Sequence, residues 1–300
     1  MLFSIIHTTT YKYNNVVTYC HNIANIKPMS FLGQELVDYK LEISPEPSNK
    51  DETIDFFKNA TTHFSIEQEH KELIVTARSL VKRDHTLEPN IYNSKTCQET
   101  KVKDGLEKLK KINDETIEVK QYMLDSELIK NTSSNIKDYA LTSFKPERSI
   151  FDAANDLMKR IFTDFKFDPK FSTVATPLDE VMKEKKGVCQ DFAHIAIACV
   201  RAVGLPARYV SGYIETLPPP GKEKLVGTDA SHAWFSIYIP EFGWVDFDPT
   251  NNQIPKDQHI TVAYGRDYYD LPPLKGIIYG SGTSKMEVSV DIRPAKTNTL

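Results

Sequence analysis

The sequence is short of several things that would otherwise decide its class. Its four cysteines, Cys20, Cys97, Cys189 and Cys199, are too scattered for a CxxC metal knuckle and too few for a secreted disulfide scaffold, so free thiols are expected. There is no run of about 18 apolar residues, and the opening MLFSIIHTTTYKY has no basic segment leading into a long apolar core. A soluble, cytoplasmic protein that does not engage the membrane is the expectation. Basic charge is not in excess either: 37 Lys and Arg stand against 41 Asp and Glu, for a net charge of -4, which argues against a nucleic-acid partner. His7, His21, His63 and His70 lack the mutual spacing of a metal-ligand set, and no acidic cluster supplies a calcium loop. No metal and no cofactor are expected.

What is present centres on GVCQDFAHIAIACVRAVG. Gly187 interrupts whatever precedes it. From Cys189 onward Phe192, Ala193, Ile195, Ala196, Ala198, Cys199, Val200 and Val203 fill nearly every face of a helix that should stop before Gly204. A thiol in the first turn sits among unpaired backbone N–H groups at the positive end of the helix dipole, which favours thiolate over thiol. Taken alone, Cys189 fits a small buried apolar residue equally well. The second block, ASHAWFSIYIPEFGWVDFDPT, reads as a hairpin. His232 leads an alternating strand, Pro240 to Gly243 turn the chain, and the strand WVDF delivers Asp248 before Pro249. Cysteine, histidine and aspartate in that order meet the nucleophile, base and orienter requirements of covalent catalysis.

GVCQDFAH and SHAWFSIYIPEFGWVDFDPTN, in that order, resemble the transglutaminase-like superfamily, in its microbial branch of candidate cysteine proteases. The similarity extends to the opening IIHTTTYKYNNVV, like that branch's N-terminal β domain, and to HITVAYGRDYYDLPPLKG after the core, so it covers nearly the whole chain. The resemblance implies Cys189 as nucleophile, His232 as base and Asp248 as its partner. One departure stands out. Related thiol enzymes often carry a tryptophan, tyrosine or glutamine upstream to donate to the oxyanion, whereas residues 161–171 offer only Phe162, Phe165, Phe167 and Phe171 among aromatics. The Cys189 backbone N–H remains as one donor.

Neighbouring polar residues have quieter roles. His194 lies five positions from Cys189, which on a helix turns it away by about 140°, and it lacks the carboxylate that supports His232. Asp191 should cap the helix start, Cys199 should be inert packing, and Arg208 suits a structural ion pair on its strand.

Residues 1–84 alternate like strands, with Ile5, His7, Thr9, Tyr11 and Tyr13 sharing one parity, and suit a small antiparallel sandwich. Residues 85–114, lysine-rich, read as a connecting segment. Residues 115–292 should form the catalytic domain, with a core helix over SIFDAANDLMKRIFTDF, a Pro/Gly loop LPPPGKEKLVGTD bordering the cleft, and strands at Ile260–Val262 and Met286–Ile292 to close it. Residues 293–300 should be a disordered tail. The fold class is α+β: a papain-like core with the nucleophile helix packed on an antiparallel sheet, preceded by an N-terminal β-sandwich. A cut near residue 115 should separate that sandwich from the chemistry. The expected function is thiol-dependent acyl chemistry on the amide bonds of a peptide or protein substrate. Transamidation, a degenerate binding or assembly protein, and a zinc site built from Cys189, His232 and Asp248 are the alternatives.

Overall fold

A computed structural model describes residues 1–215 and 231–295. The loop LPPPGKEKLVGTD and residues 296–300 lie outside the described residues.

The chain begins with a 23-residue strand, β1 (Leu2–Ala24), followed by β2 (Gln34–Ser44), β3 (Asn49–Ile54), β4 (Ala60–Ile66) and β5 (His70–Arg83). The parity read from the sequence is the parity of burial: Phe3, Ile5, His7 and Thr9 all point inward. All pairings are antiparallel, in the order β2-β5-β1-β4-β3. The register of β1 against β5 breaks between Lys12 and Val17, so its first half pairs with β5 and its second half with β4. The sheet therefore folds over on itself. Leu41, Ile43, Leu73 and Val75 from one half share a core with Cys20, Ala24, Phe64 and Ile66 from the other.

Three short helices follow, α1 (Lys95–Glu99), α2 (Val102–Lys110) and α3 (Asp114–Lys120). The stretch 85–114, read as a connecting segment able to hold a helix, holds α1 and α2. Cys97, Val102 and Leu109 are buried in the main core, and Gly105 packs so tightly that a Cβ there would lie 2.5 Å from Ile150 Cδ1. The lysines occupy the outer face of helices whose inner face is apolar.

Helices α4 (Ser134–Ser143), α5 (Ile150–Asp164), α6 (Leu178–Glu184) and α7 (Cys189–Ala202) then surround a four-stranded antiparallel sheet, with the two-residue strands β6 (Lys166–Phe167) and β7 (Lys186–Gly187) pairing beside the start of α7. The sheet runs β10 (Gly243–Phe247), β9 (Ser231–Ile239), β8 (Ala207–Ile214), β11 (His259–Gly265). Helix α7 has the bounds its sequence predicted and ends where Gly204 takes a left-handed φ of 85°. Every residue from Asp191 to Arg201 is buried, because α7 lies between the sheet and α4, α5 and α6.

The last strands, β12 (Leu274–Gly280) and β13 (Ser284–Pro294), return to the first sheet and pair antiparallel with β1, Ala24 opposite Leu274 and Ile5 opposite Ile292. A catalytic unit running from 115 to 292 therefore does not follow the sheets, and Arg293 and Pro294 belong to a strand rather than to a tail. Phe3, Ile5, Val81, Val290 and Ile292 join the same apolar cluster as α7.

Side chains tie the two sheets together as well. Strand β11 is an edge, and edges carry unpaired backbone groups. The Gln34 carboxamide donates to Thr261 O at 2.7 Å and accepts from Thr261 N–H at 2.9 Å, while Asn59 does the same to Tyr264 at 2.8 and 2.9 Å. Two side chains of the first sheet thus stand in for a missing neighbouring strand. No described helix is long and apolar enough to cross a membrane.

Candidate active site

The thiol is placed by a local device at the start of α7. Asp191 Oδ2 accepts the Val188 N–H at 2.8 Å and the Ser172 hydroxyl, fixing the turn that leads into Cys189. This carboxylate folds back so closely that a Cβ on residue 187 would sit 2.6 Å from it, which is why glycine precedes Val188. Asp191 is the cap the sequence predicted. Ser172, which completes it, carries no local signal.

His232 enters at the start of β9, opposite Gly212 of β8. A Cβ on Gly212 would lie 2.3 Å from Ile260 O and 2.5 Å from Trp234 Cη2, so the absent side chain sets how closely the strands around His232 approach. Gly212→Ala should destabilise the protein by roughly 1–3 kcal/mol through overpacking, read as a fall in Tm.

Asp248 follows β10 in the turn Asp-Pro-Thr-Asn and is fully buried. Its Oδ1 accepts the backbone N–H groups of Thr250 and Asn251 at 3.0 and 3.2 Å. Its Oδ2 accepts His232 Nε2–H at 2.8 Å, His259 Nε2–H at 3.1 Å and Asn251 Nδ2–H at 2.7 Å. Burial opposes ionisation, but the hydrogen bonds from His232 and His259 outweigh it and hold the carboxyl far below the usual range.

His232 is also buried, and Cys189 acts on its ring together with Asp248. Because Nε2 is committed to Asp248, Nδ1 is the ring nitrogen left for the sulfur. Burial disfavours the charged ring. Asp248 and then Cys189 more than compensate, and the His232 pKa rises from 6.5 to about 10. The imidazole is therefore an imidazolium at neutral pH, set between a carboxylate and a thiol. The three residues singled out in the sequence meet in one place.

The others fall where chemistry would put them aside. His194 accepts the Tyr268 backbone N–H on Nε2 at 3.1 Å, so its proton is on Nδ1, and burial lowers its pKa to about 4. It is a neutral structural ring and no base for Cys189. Cys20, Cys97 and Cys199 are fully buried, and burial pushes the last two up to about 12. Arg208 does not form the expected ion pair among the described residues: its guanidinium stacks 3.6 Å from the Tyr264 ring centroid and 4.3 Å from that of Trp244. Phe165 and Phe167 both pack edge-on against Phe192 of α7, so neither supplies an oxyanion donor.

The sequence reading gave no role to His259 and Asn251. Both stood inside quoted segments, and His259 opens an alternating strand just as His232 does. Only the turn after β10 reveals that both point at Asp248. The atoms His232 Nε2, Asp248 Oδ2 and His259 Nε2 all lie within 4.8 Å of one another, a donor set that zinc accepts. Asn251 Nδ2 occupies the adjoining space, 3.2 Å from His232 Nε2 and 2.7 Å from Asp248 Oδ2, and His232 holds its proton up to about pH 10. Protons bridge these atoms. Among the described residues Cys189 is not in a cluster close enough to share a metal with His232 and Asp248.

Comparison with known proteins agrees with this architecture. The core profile of the transglutaminase-like superfamily matches residues 137–249, spanning Cys189, His232 and Asp248, and the bacterial transglutaminase-like N-terminal region matches residues 3–82. An uncharacterised protein of Mycobacterium tuberculosis is 37% identical over 309 residues, covering 99% of this chain and 94% of that relative. The chain belongs to the transglutaminase-like superfamily. A protein-glutamine gamma-glutamyltransferase of Pseudomonas aeruginosa is 32% identical over 135 residues, 41% of this chain and 20% of that enzyme. The crystal structure of a candidate cysteine protease from Cytophaga hutchinsonii shares the fold, with a TM-score of 0.75 and 20% identity, covering 100% of this chain and 92% of that one.

Proposed function

We propose that this chain is a thiol-dependent hydrolase of amide bonds in peptides or proteins, with Cys189 as nucleophile, His232 as acid and base, and Asp248 as the group that orients His232. The observation that carries the reading is the buried pair of His232 and Asp248, 2.8 Å apart, with Cys189 acting on the same ring from the start of α7. The sulfur attacks the substrate carbonyl and the oxyanion forms beside the Cys189 backbone N–H at the start of α7. The His232 imidazolium gives its Nδ1 proton to the leaving amine as the C–N bond breaks, leaving a thioester and a neutral ring. Water then adds to the thioester, passing a proton to His232, and the acid departs as thiolate and imidazolium are restored. An amine in place of water would give transamidation. The cysteine-protease neighbour favours water as acceptor, and the γ-glutamyltransferase relative favours the amine.

Mass spectrometry after exposure to a peptide library, with and without an added primary amine, tests the proposal. Hydrolysed peptides in both arms support it, amine adducts select transamidation, and unchanged peptides in both arms reject it. Asp248→Ala should leave His232 unoriented and lower the acylation rate by about 10²- to 10⁴-fold, in line with triad carboxylates elsewhere. A folded Asp248→Ala protein with an unchanged rate would reduce the carboxylate to a turn residue.

A further inference from the structure

Asp248 is held by more than the residue it serves. Three N–H donors converge on its Oδ2, and one of them comes from His259 at the entrance of β11, beyond the last residue of the matched core profile. A carboxylate oxygen only accepts, so His259 Nε2 carries a proton and donates it. Burial is the larger influence on the ring and lowers its pKa against the pull of Asp248, which favours the neutral form. Its Nδ1 is then a bare acceptor, and this atom has no partner among the described residues although His259 is 2% exposed. A buried unpaired acceptor is a cost to stability. For packing alone, against the Trp234 ring 5.2 Å away, a phenylalanine would serve without that cost.

We infer that His259 is a positioning residue of this site, fixing Asp248 Oδ2 on His232 so that the imidazolium stays turned toward Cys189. The inference rests on the reading of Cys189 and His232 as nucleophile and acid–base. The strand that carries His259 is itself fixed from the first sheet by Gln34 and Asn59, so the carboxylate is anchored across both sheets. The charged and titratable groups around His259 are Asp248 and Asp246 from β10 and its turn and His232 from β9. Toward the surface they are Lys256, Asp257, His85 and the Met1 amino group, which line a shared cavity. Of these, Asp257 is taken by His85, at 2.8 Å from its backbone N–H and 2.9 Å from its ring. Asp248 is the acceptor that His259 engages.

The test uses the full chain and reads Cys189 labelling by iodoacetamide across pH 5–9, which needs no turnover. Wild type should label readily across the series. His259→Phe, which keeps the ring but not the donor, should label about 10-fold more slowly at pH 6, while its Tm stays level or climbs. His259→Gln, which restores an N–H donor, should recover the wild-type rate. A folded His259→Phe protein with the wild-type profile overturns the inference, and so does a His259→Gln protein as impaired as His259→Phe, since packing alone would then explain both. If His259→Phe does not fold, ¹⁵N NMR of the wild-type imidazoles decides: a neutral Nε2–H tautomer at His259 is required, and an Nδ1–H tautomer overturns it. Peptide cleavage by wild type is followed separately. A labelling rate that depends on His259 in a protein that cleaves no amide would end the proposed function and leave this inference standing.

Discussion

Iodoacetamide at pH 6 is expected to modify Cys189 at least ~100-fold faster than Cys20, Cys97 or Cys199. Two effects act in the same direction. Cys189 is partly exposed at a helix start, whereas the other three thiols are fully buried. Cys189 also faces a ring that keeps its proton until about pH 10, since Asp248 outweighs the cost of burial. Below that pH the imidazolium is present and stabilises a thiolate beside it. Above it the proton leaves, and so does the electrostatic support. The advantage of Cys189 over the buried thiols should therefore hold from pH 6 to 8 and fall only as the pH approaches 10. Peptide mapping after brief alkylation of native protein is the measurement. Equal labelling of Cys189 and Cys199 would mean that the helix start and His232 confer nothing.

Removing residues 1–114 is expected to abolish folding. The sequence suggested that a cut near 115 would leave a reactive Cys189, but the structure opposes it on three counts. Strands β12 and β13 lose their partner β1, β11 loses the amides of Gln34 and Asn59, and the main core loses Phe3, Ile5 and Val81. Each buried side chain of that size contributes roughly 1.5–3 kcal/mol, against a whole-domain stability of about 5–15 kcal/mol. The truncated chain should be insoluble on expression, or show no cooperative unfolding by circular dichroism. A soluble, cooperatively folding 115–300 fragment that labels at Cys189 would show that the catalytic sheet stands by itself.

The contrast between these two predictions marks what the sequence could tell. Cys189, His232 and Asp248 were legible because each lies at the end of an element with strong local signals: a glycine before an apolar helix, an alternating strand, an Asp-Pro turn. The bounds of α7 were legible for the same reason. His259 was not, since its meaning depends on a carboxylate oxygen in the turn after β10, a strand that is not its neighbour in the sheet. For Arg208 charge suggests a carboxylate, and only the sheet shows the two aromatic faces, Trp244 and Tyr264, that lie beside it. The destination of β12 and β13 was hidden too. Pairing Ile5 with Ile292 is a contact between opposite ends of the chain, and nothing local encodes it.

That last pairing orders events in time. Synthesis releases β1 first, yet the strand keeps one side open along nearly its whole length until residues 274–294 emerge to occupy it. Contacts so far apart in the chain form slowly and late. The face of the first sheet that packs on the core around α7 includes Val290 and Ile292, so the core beneath it is finished only at the same moment. A nascent chain can hold Cys189, His232 and Asp248 outside the ribosome for many residues before they are brought to bear on one another. A message broken before codon 274 should accordingly yield a product whose thiol reacts like any other, so the reactive site is withheld from incomplete copies of the protein.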